Sequence, residues 1–277
     1  MCARESARRF QTHGYWIRKC AACGHEFAEL LRAEGHVDRV YGDGYFSGGE
    51  AGYSNYLAEE KLLRAAGRRY ARLLAAHRPP GRLLDVGCAA GFVLSGFVDE
   101  GWSGVGVEPN ASMVAHGRAA GLDLRVGTLE TVDEPGGFDL ISIVQVMAHF
   151  VSPMDALAAA ARLTRPGGYW LIETWNRESW TRRLFGEKWH EYSPPSVLQW
   201  FSPESLTTAA ARFGMELAAR GRPAKWLHSD HAAELVRHKL AGGPLEPVAR
   251  MATKLIPRGL PIPYPAEDLF WVLYRRV

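Results

Sequence analysis

Asp85, Gly87, Ala89 and Gly91 occupy alternate positions of the run Leu83-Leu84-Asp85-Val86-Gly87-Cys88-Ala89-Ala90-Gly91-Phe92. A second run, Gly104-Val105-Gly106-Val107, ends in Glu108 and Pro109. Residues of these types at this spacing can hold a nucleoside. Small residues let a backbone turn approach the ligand closely, and a carboxylate at the tip of the next strand can accept hydrogen bonds from both ribose hydroxyls. A dinucleotide fingerprint requires Gly-x-Gly-x-x-Gly, and counted from Gly87 its second and third glycines are replaced by Ala89 and Phe92. A phosphate-binding loop ending in Gly-Lys-Ser/Thr is missing from the chain.

The elements that must carry these residues read as strand, small-residue turn, helix and strand. From residue 82 to about 222 strand-like and helix-like segments alternate, which implies parallel strands joined by crossovers. A helix is expected around Leu57 to His77, with Leu62, Leu63, Ala66, Tyr70 and Leu73 on its apolar face, stopped by Pro79-Pro80-Gly81. The expected fold class is α/β, built on a parallel sheet. Domain boundaries are expected at 1–40 for a small N-terminal element, 41–81 for a lid and helical lead-in, and 82–277 for the main domain, with cap insertions at about 176–202 and 223–268.

The pattern Asp-x-Gly-x-Ala-x-Gly resembles motif I of the class I S-adenosylmethionine (SAM) methyltransferases. The resemblance continues in order through Gly127-Thr128-Leu129-Glu130, the strand-like Phe138 to Gln145, Ala148-His149-Phe150-Val151-Ser152-Pro153, Leu163-Thr164-Arg165-Pro166-Gly167-Gly168 and the closing segment Asp268 to Arg276. It implies a Rossmann-like sheet of seven strands, five parallel strands followed by an antiparallel hairpin pair, and SAM as cofactor, whose sulfonium and ammonium suit an acid beside the turn. Carried over position by position, it implies that Gly87, Cys88, Ala89, Gly91 and Phe92 form the turn and that Asp85 supports the charged end of the cofactor. Glu108, with Pro109 beside it, would hold the ribose, and Thr128 and Leu129 would border the adenine. Val144 and Gln145 end the fourth core strand beside the cofactor, and Tyr45 belongs to an aromatic stretch (Tyr41, Tyr45, Phe46, Tyr53, Tyr56) suited to a closing lid.

Methyl transfer is an in-line displacement at carbon, so the protein chiefly aligns the nucleophile and excludes water. A general base matters when the nucleophile is a hydroxyl, and His149 is the leading candidate; packing beside the cofactor is its alternative role. His190 and Tyr192 are second-choice bases or hydrogen-bond donors. The quinone-pathway O-methyltransferases resemble this segment but carry Glu-x-x-Glu-His. Here Gln145-Val146-Met147-Ala148-His149 lacks both carboxylates, so cation ligation there is not expected. Trp175, Trp180, Phe185, Trp189, Tyr192, Trp200 and Phe201 form either an aromatic wall over a flat substrate or a hydrophobic subcore. Ser193-Pro194-Pro195-Ser196 is similar to the Pro-Pro motif of amino-group DNA methyltransferases, but it lies in the wrong place and is read as coincidence. His228-Ser229-Asp230-His231, with His238 beyond, is read as the surface of a cap helix rather than a metal site.

Arg18-Lys19-Cys20-Ala21-Ala22-Cys23-Gly24-His25 resembles one knuckle of a small zinc ribbon. Tetrahedral zinc wants four ligands; besides Cys20 and Cys23 only Cys2 and His13 (or Glu5) offer themselves, so either a structural zinc or a metal-free relic is expected. Four cysteines, no apolar run of membrane-spanning length and no signal-like start point to a cytoplasmic protein. The net charge of +3 is small and the arginines are scattered, which excludes a concentrated nucleic-acid footprint. The expected activity is O-methylation of a small, natural-product-like or aromatic metabolite. C- or N-methylation, and a catalytically inactive SAM-binding partner protein, remain as alternatives. Oligomeric state has no signature in the chain.

Overall fold

The computed structural model describes residues 5–48, 55–228, 261–264 and 266–277, together with positions 247, 251 and 253. Strands β1 (Ser6–Thr12), β2 (Tyr15–Cys20) and β3 (Glu26–Ala28) come first, followed by helices α1 (His36–Val40), α2 (Asp43–Phe46) and α3 (Glu60–Leu74). Alternation then sets in with β4 (Arg82–Val86), α4 (Phe92–Asp99), β5 (Ser103–Glu108), α5 (Ala111–Ala119), β6 (Leu124–Val126), β7 (Phe138–Val144), α6 (Pro153–Leu163) and β8 (Thr164–Trp175). The rest comprises α7 (Trp180–Phe185), β9 (Gln199–Trp200), α8 (Pro203–Ala211), β10 (Met215–Gly221), β11 (Lys225–His228), β12 (Pro261–Tyr264) and β13 (Leu269–Arg276).

Seven strands form the central sheet in the order β10-β13-β8-β7-β4-β5-β6. Strands β4 to β8 are parallel, and β13 runs antiparallel to both β8 and β10, as the sequence implied. The chain winds outward from β4 to β6, then restarts on the other side with β7. The crevice therefore opens at the carboxyl ends of β4 and β7, where open α/β sheets take their ligands. Strand β7 is buried along nearly its whole length because helices cover both faces of the sheet. One face packs Leu84, Ile141, Leu157 and Phe201; the other packs Leu74, Leu83, Phe97 and Leu140.

The expected helix over 57–77 appears as a short 3₁₀ turn, Tyr56–Glu59, running into α3. Its most buried face carries Gly67, Tyr70, Ala71 and Leu74; of the expected apolar residues Tyr70 lies on it, and Leu63 and Leu73 pack at its flanks partly buried. The reason for Gly67 is a close helix crossing. A Cβ on Gly67 would lie 2.1 Å from the Val93 carbonyl oxygen, and one on Gly96 would lie 2.1 Å from that of Arg64. Two glycines thus let α3 and α4 touch backbone to backbone.

The N-terminal strands do not close on themselves. They form a four-stranded antiparallel sheet, β1-β2-β3-β9, whose last strand comes from far along the chain, pairing Glu26 with Trp200 and Phe27 with Gln199. Ile17 and Ala28 pack there against Trp189, Tyr192, Val197 and Trp200. The aromatic stretch after β8 is therefore divided: Trp189, Tyr192 and Trp200 form a subcore, while Trp180 and Phe185 are exposed. The structure has two compact units, residues 1–223 with 267–277, and residues 224–266. Described residues of the second form the antiparallel pair β11–β12. His228 ends β11 rather than starting a helix, and Ser229, Asp230, His231 and His238 lie outside the described residues. No described helix is long and apolar enough to cross a membrane.

Gly67→Ala or Gly96→Ala should destabilise the protein by about 2 kcal/mol in urea unfolding, because overpacking outweighs the usual helix preference for alanine. Equal or greater stability would mean that α3 and α4 do not meet backbone to backbone.

Candidate functional site

The β4–α4 turn is set by backbone bonds before any side chain acts. The amides of Gly87 and Cys88 both donate to the Val107 carbonyl, at 2.8 and 3.2 Å. Gly87 has φ +62°, and a Cβ there would lie 2.7 Å from Val146 Cγ2, so only glycine fits. Ala89 also takes a positive φ, 47°, a conformation that costs a non-glycine residue and is held here by a partner. That partner is Glu108. Its Oε2 accepts from the Ala89 amide at 3.0 Å and its Oε1 from the Asn110 amide at 2.9 Å. Burial raises the pKa of this carboxylate, and the two amides pull it back.

Asp85 lies at the base of the same crevice. Ser142 Oγ donates to its Oδ1, while Oδ2 is buried with no hydrogen-bond partner among the described residues. Burial pushes its pKa up to about 7, against the Ser142 hydroxyl and the Leu94 amide. On the other wall Gln145 has φ 60°, and its amide nitrogen donates to the buried Glu173, which also accepts from the Tyr70 hydroxyl. With its nitrogen committed, Gln145 has its side-chain oxygen left as an acceptor.

These groups line a cavity of about 370 Å³. Asp85, Gly87, Cys88, Ala89, Glu108, Pro109, Thr128, Leu129, Val144 and Gln145 all line it, and so do Tyr45 and His149. Gly91 and Phe92 do not. Gly91 is the N-cap of α4, and Phe92 is buried and stacked on Tyr56 with ring centroids 5.4 Å apart, so both support the turn from behind. The aromatic contacts continue from Tyr56 through Phe46, Tyr45 and Tyr41 to His149. Asn110 holds this lid segment down: its side chain caps α5 and donates to the Tyr41 carbonyl and the Asp43 carboxylate, both at 3.1 Å.

His149 is half-buried at the cavity wall. Its Nδ1 lies 2.7 Å from the Ser196 carbonyl oxygen and 3.1 Å from the Tyr41 hydroxyl, which itself donates to Ser196 at 2.7 Å. Burial lowers the His149 pKa although the carbonyls of Ser196 and Gln145 favour the cation. Sequence reasoning missed Tyr41 as a partner of His149, as well as Asn110 and Ser196. Only the unusual density of tyrosines at 41–56 hinted at the first.

Two expected catalytic side chains are placed elsewhere. Tyr192 is buried in the subcore and donates to Glu26 Oε2 at 2.5 Å, a partner that also accepts from Arg182. His190 lies 2.8 Å from Glu191 Oε1 and 3.6 Å from Asp268 Oδ2. Neither lines the cavity. The zinc expectation also lacks a ligand set. Cys20 is buried and Cys23 partly so, but no third His, Cys, Asp or Glu ligand joins them among the described residues. His13 is exposed in the β1–β2 turn, and Cys2 lies outside the described residues. Two thiols are too few for a closed tetrahedral site.

The buried Asp85 oxygen without a donor, the anchored Glu108 and the small-residue turn fit SAM. Asp85 suits its ammonium, and Glu108 its ribose hydroxyls. With the order of its seven strands, the fold is that of a class I SAM-dependent methyltransferase. The chain matches the methyltransferase-domain family over residues 58–219, more than half its length, and belongs to it. A ubiquinone biosynthesis O-methyltransferase from Rhodopseudomonas palustris (strain BisB18) is 30% identical over 138 residues, 46% of this chain and 54% of that protein. The chain thus spans about half the length of the curated relatives it matches. Among solved structures, a possible histamine N-methyltransferase from Thermotoga maritima superposes with a TM-score of 0.52 at 20% identity, covering 80% of this chain and 93% of its own. A SAM-dependent methyltransferase from Archaeoglobus fulgidus gives 0.53 at 17% identity, covering 80% and 99%. At such identities the likeness shows the fold.

Because Asp85 is raised to about 7, it is largely protonated below that pH and must ionise to receive a cation. Calorimetry should therefore show proton release on SAM binding near pH 6, with affinity falling by up to about tenfold per pH unit below 7. Asp85→Asn should abolish the release; an unchanged release would assign it to another group.

Proposed function

We propose that this protein transfers the methyl group of SAM to the hydroxyl of a small aromatic or enolic metabolite, with His149 as general base. When bound, SAM supplies an electrophilic methyl carbon and leaves as the neutral thioether. Asp85 and the Gln145 oxygen receive the charged amino-acid end, Glu108 the ribose, and Thr128 and Leu129 the adenine. Tyr41, Tyr45 and Phe46 close over the cavity as a lid, offering ring faces that suit a sulfonium and a flat acceptor.

The His149 ring carries the reading for oxygen. Its Nδ1 faces the Ser196 carbonyl, so in the neutral ring Nδ1 holds the proton and Nε2 holds the lone pair. Its lowered pKa keeps the ring neutral at physiological pH. An acceptor hydroxyl would pass its proton to His149 Nε2 as its oxygen becomes the nucleophile. The relatives named as ubiquinone biosynthesis O-methyltransferases support an oxygen acceptor.

Screening phenolic, enolic and amine acceptors with radiolabelled SAM tests the reading. His149→Ala should lower kcat on the preferred acceptor about a hundredfold or more, with SAM affinity within about threefold. The wild-type rate should fall on acidification as the imidazole is protonated, with its midpoint below the ordinary histidine range. Transfer confined to amines, or a full rate in His149→Ala, would overturn it.

A further inference from the structure

Outside the cavity, three ligand-bearing side chains converge where the segment after β8 meets the start of β13. His190 Nε2 lies 2.8 Å from Glu191 Oε1 and 3.6 Å from Asp268 Oδ2, and one ligand atom from each residue lies within 4.8 Å of the others. Ligands about 2.1 Å from a common ion stand roughly 3.0–3.4 Å apart at right-angled or tetrahedral positions. The two His190 spacings bracket that range and the Glu191–Asp268 pair lies within 4.8 Å, so small side-chain shifts would suffice for one shared ion.

Asp268 supplies a second, independent observation. Its side chain is only 3% exposed, and both carboxylate oxygens are buried with no hydrogen-bond partner among the described residues. Among the described residues, no lysine or arginine pairs with either Asp268 or Glu191. A buried carboxylate without donors is costly, and here two carboxylates share one imidazole. The Asp268 backbone is fixed as well, since its carbonyl accepts from the Asn176 amide at 2.7 Å. Exposure rises from 3% at Asp268 through 11% at Glu191 to 32% at His190, leaving one side open to water ligands.

The geometry points to a divalent-cation site formed by His190, Glu191 and Asp268. One imidazole nitrogen with two carboxylates and open water positions suits manganese-like ions better than an all-oxygen magnesium cage. The ion would staple residues 189–192 to the start of β13, a few residues before the Ser196 carbonyl that holds His149. This inference is independent of the acceptor proposed above.

The test is titration of the chelator-stripped full chain with Mn²⁺. Free Mn²⁺ is followed by electron paramagnetic resonance and stability by thermal unfolding. Manganese is the probe because thiolates such as Cys20 and Cys23 compete poorly for it. About one ion per chain is expected, with Tm raised by roughly 5 °C at a hundredfold excess over Kd. Asp268→Asn should weaken binding at least tenfold and lose the Tm rise. His190→Ala, a change at an exposed side chain, should do the same and carries the test should Asp268→Asn fail to fold. No Mn²⁺ bound by the wild type, or unchanged affinity in His190→Ala, would overturn the site and leave an internal ion-pair cluster.

Discussion

A single buried carboxylate organises this molecule. Glu108 is 4% exposed, and a charge so placed is tolerated only where donors surround it. Its donors are two backbone amides, Ala89 in the turn after β4 and Asn110 in the turn after β5. One side chain therefore fixes the relative position of two strand ends and steadies Ala89 at a positive φ. Asn110 extends the constraint outward, since its side chain grips both the backbone at Tyr41 and the carboxylate of Asp43. Lone pairs left on the Glu108 oxygens face the cavity, where hydroxyl donors would complete the shell.

The cavity is built from two kinds of material. Its floor comes from the ends of β4, β5 and β7, which are buried on both faces and leave little freedom to move. Its far wall comes from segments that are not part of that sheet, the helices at 36–46, braced by the Ser196 carbonyl through its bonds to Tyr41 and His149. His149 stands where the two meet, on the turn after β7 but held by Ser196 and Tyr41. This division suits a methyltransferase. Under the proposed function, the sheet ends would take the cofactor and the appended segments would meet the acceptor.

The floor was legible in the sequence because its chemistry is local. Asp85, Gly87, Ala89 and Glu108 fall within 24 residues, on a strand–turn–helix–strand unit whose apolar runs and small residues announce themselves. The parallel sheet followed from the alternation of strands and helices, and the antiparallel closing strand from the resemblance to the methyltransferases. Of the wall, His149 and the lid aromatics were legible, but not the bonds that join them. Tyr41, His149 and Ser196 are separated by 108 and 47 positions, and no local pattern records that they share a hydrogen-bond cluster. The same holds for the N-terminal sheet, whose fourth strand is only two residues long and too short for any periodicity. Tyr192 had no local sign that Glu26 and Arg182 hold it in a subcore away from the cavity. At α3 periodicity found Tyr70 but not Gly67, because a backbone-to-backbone helix crossing leaves no apolar side chain to read.

The most direct measurement is isothermal calorimetry of SAM and of its demethylated product against the wild type and Glu108→Ala. Roughly micromolar binding of both ligands by the wild type, weakened at least tenfold in the variant, is the expected result. A wild type that binds neither ligand, or a variant that binds as tightly as the wild type, would contradict the assignment of this cavity to SAM and of Glu108 to its ribose.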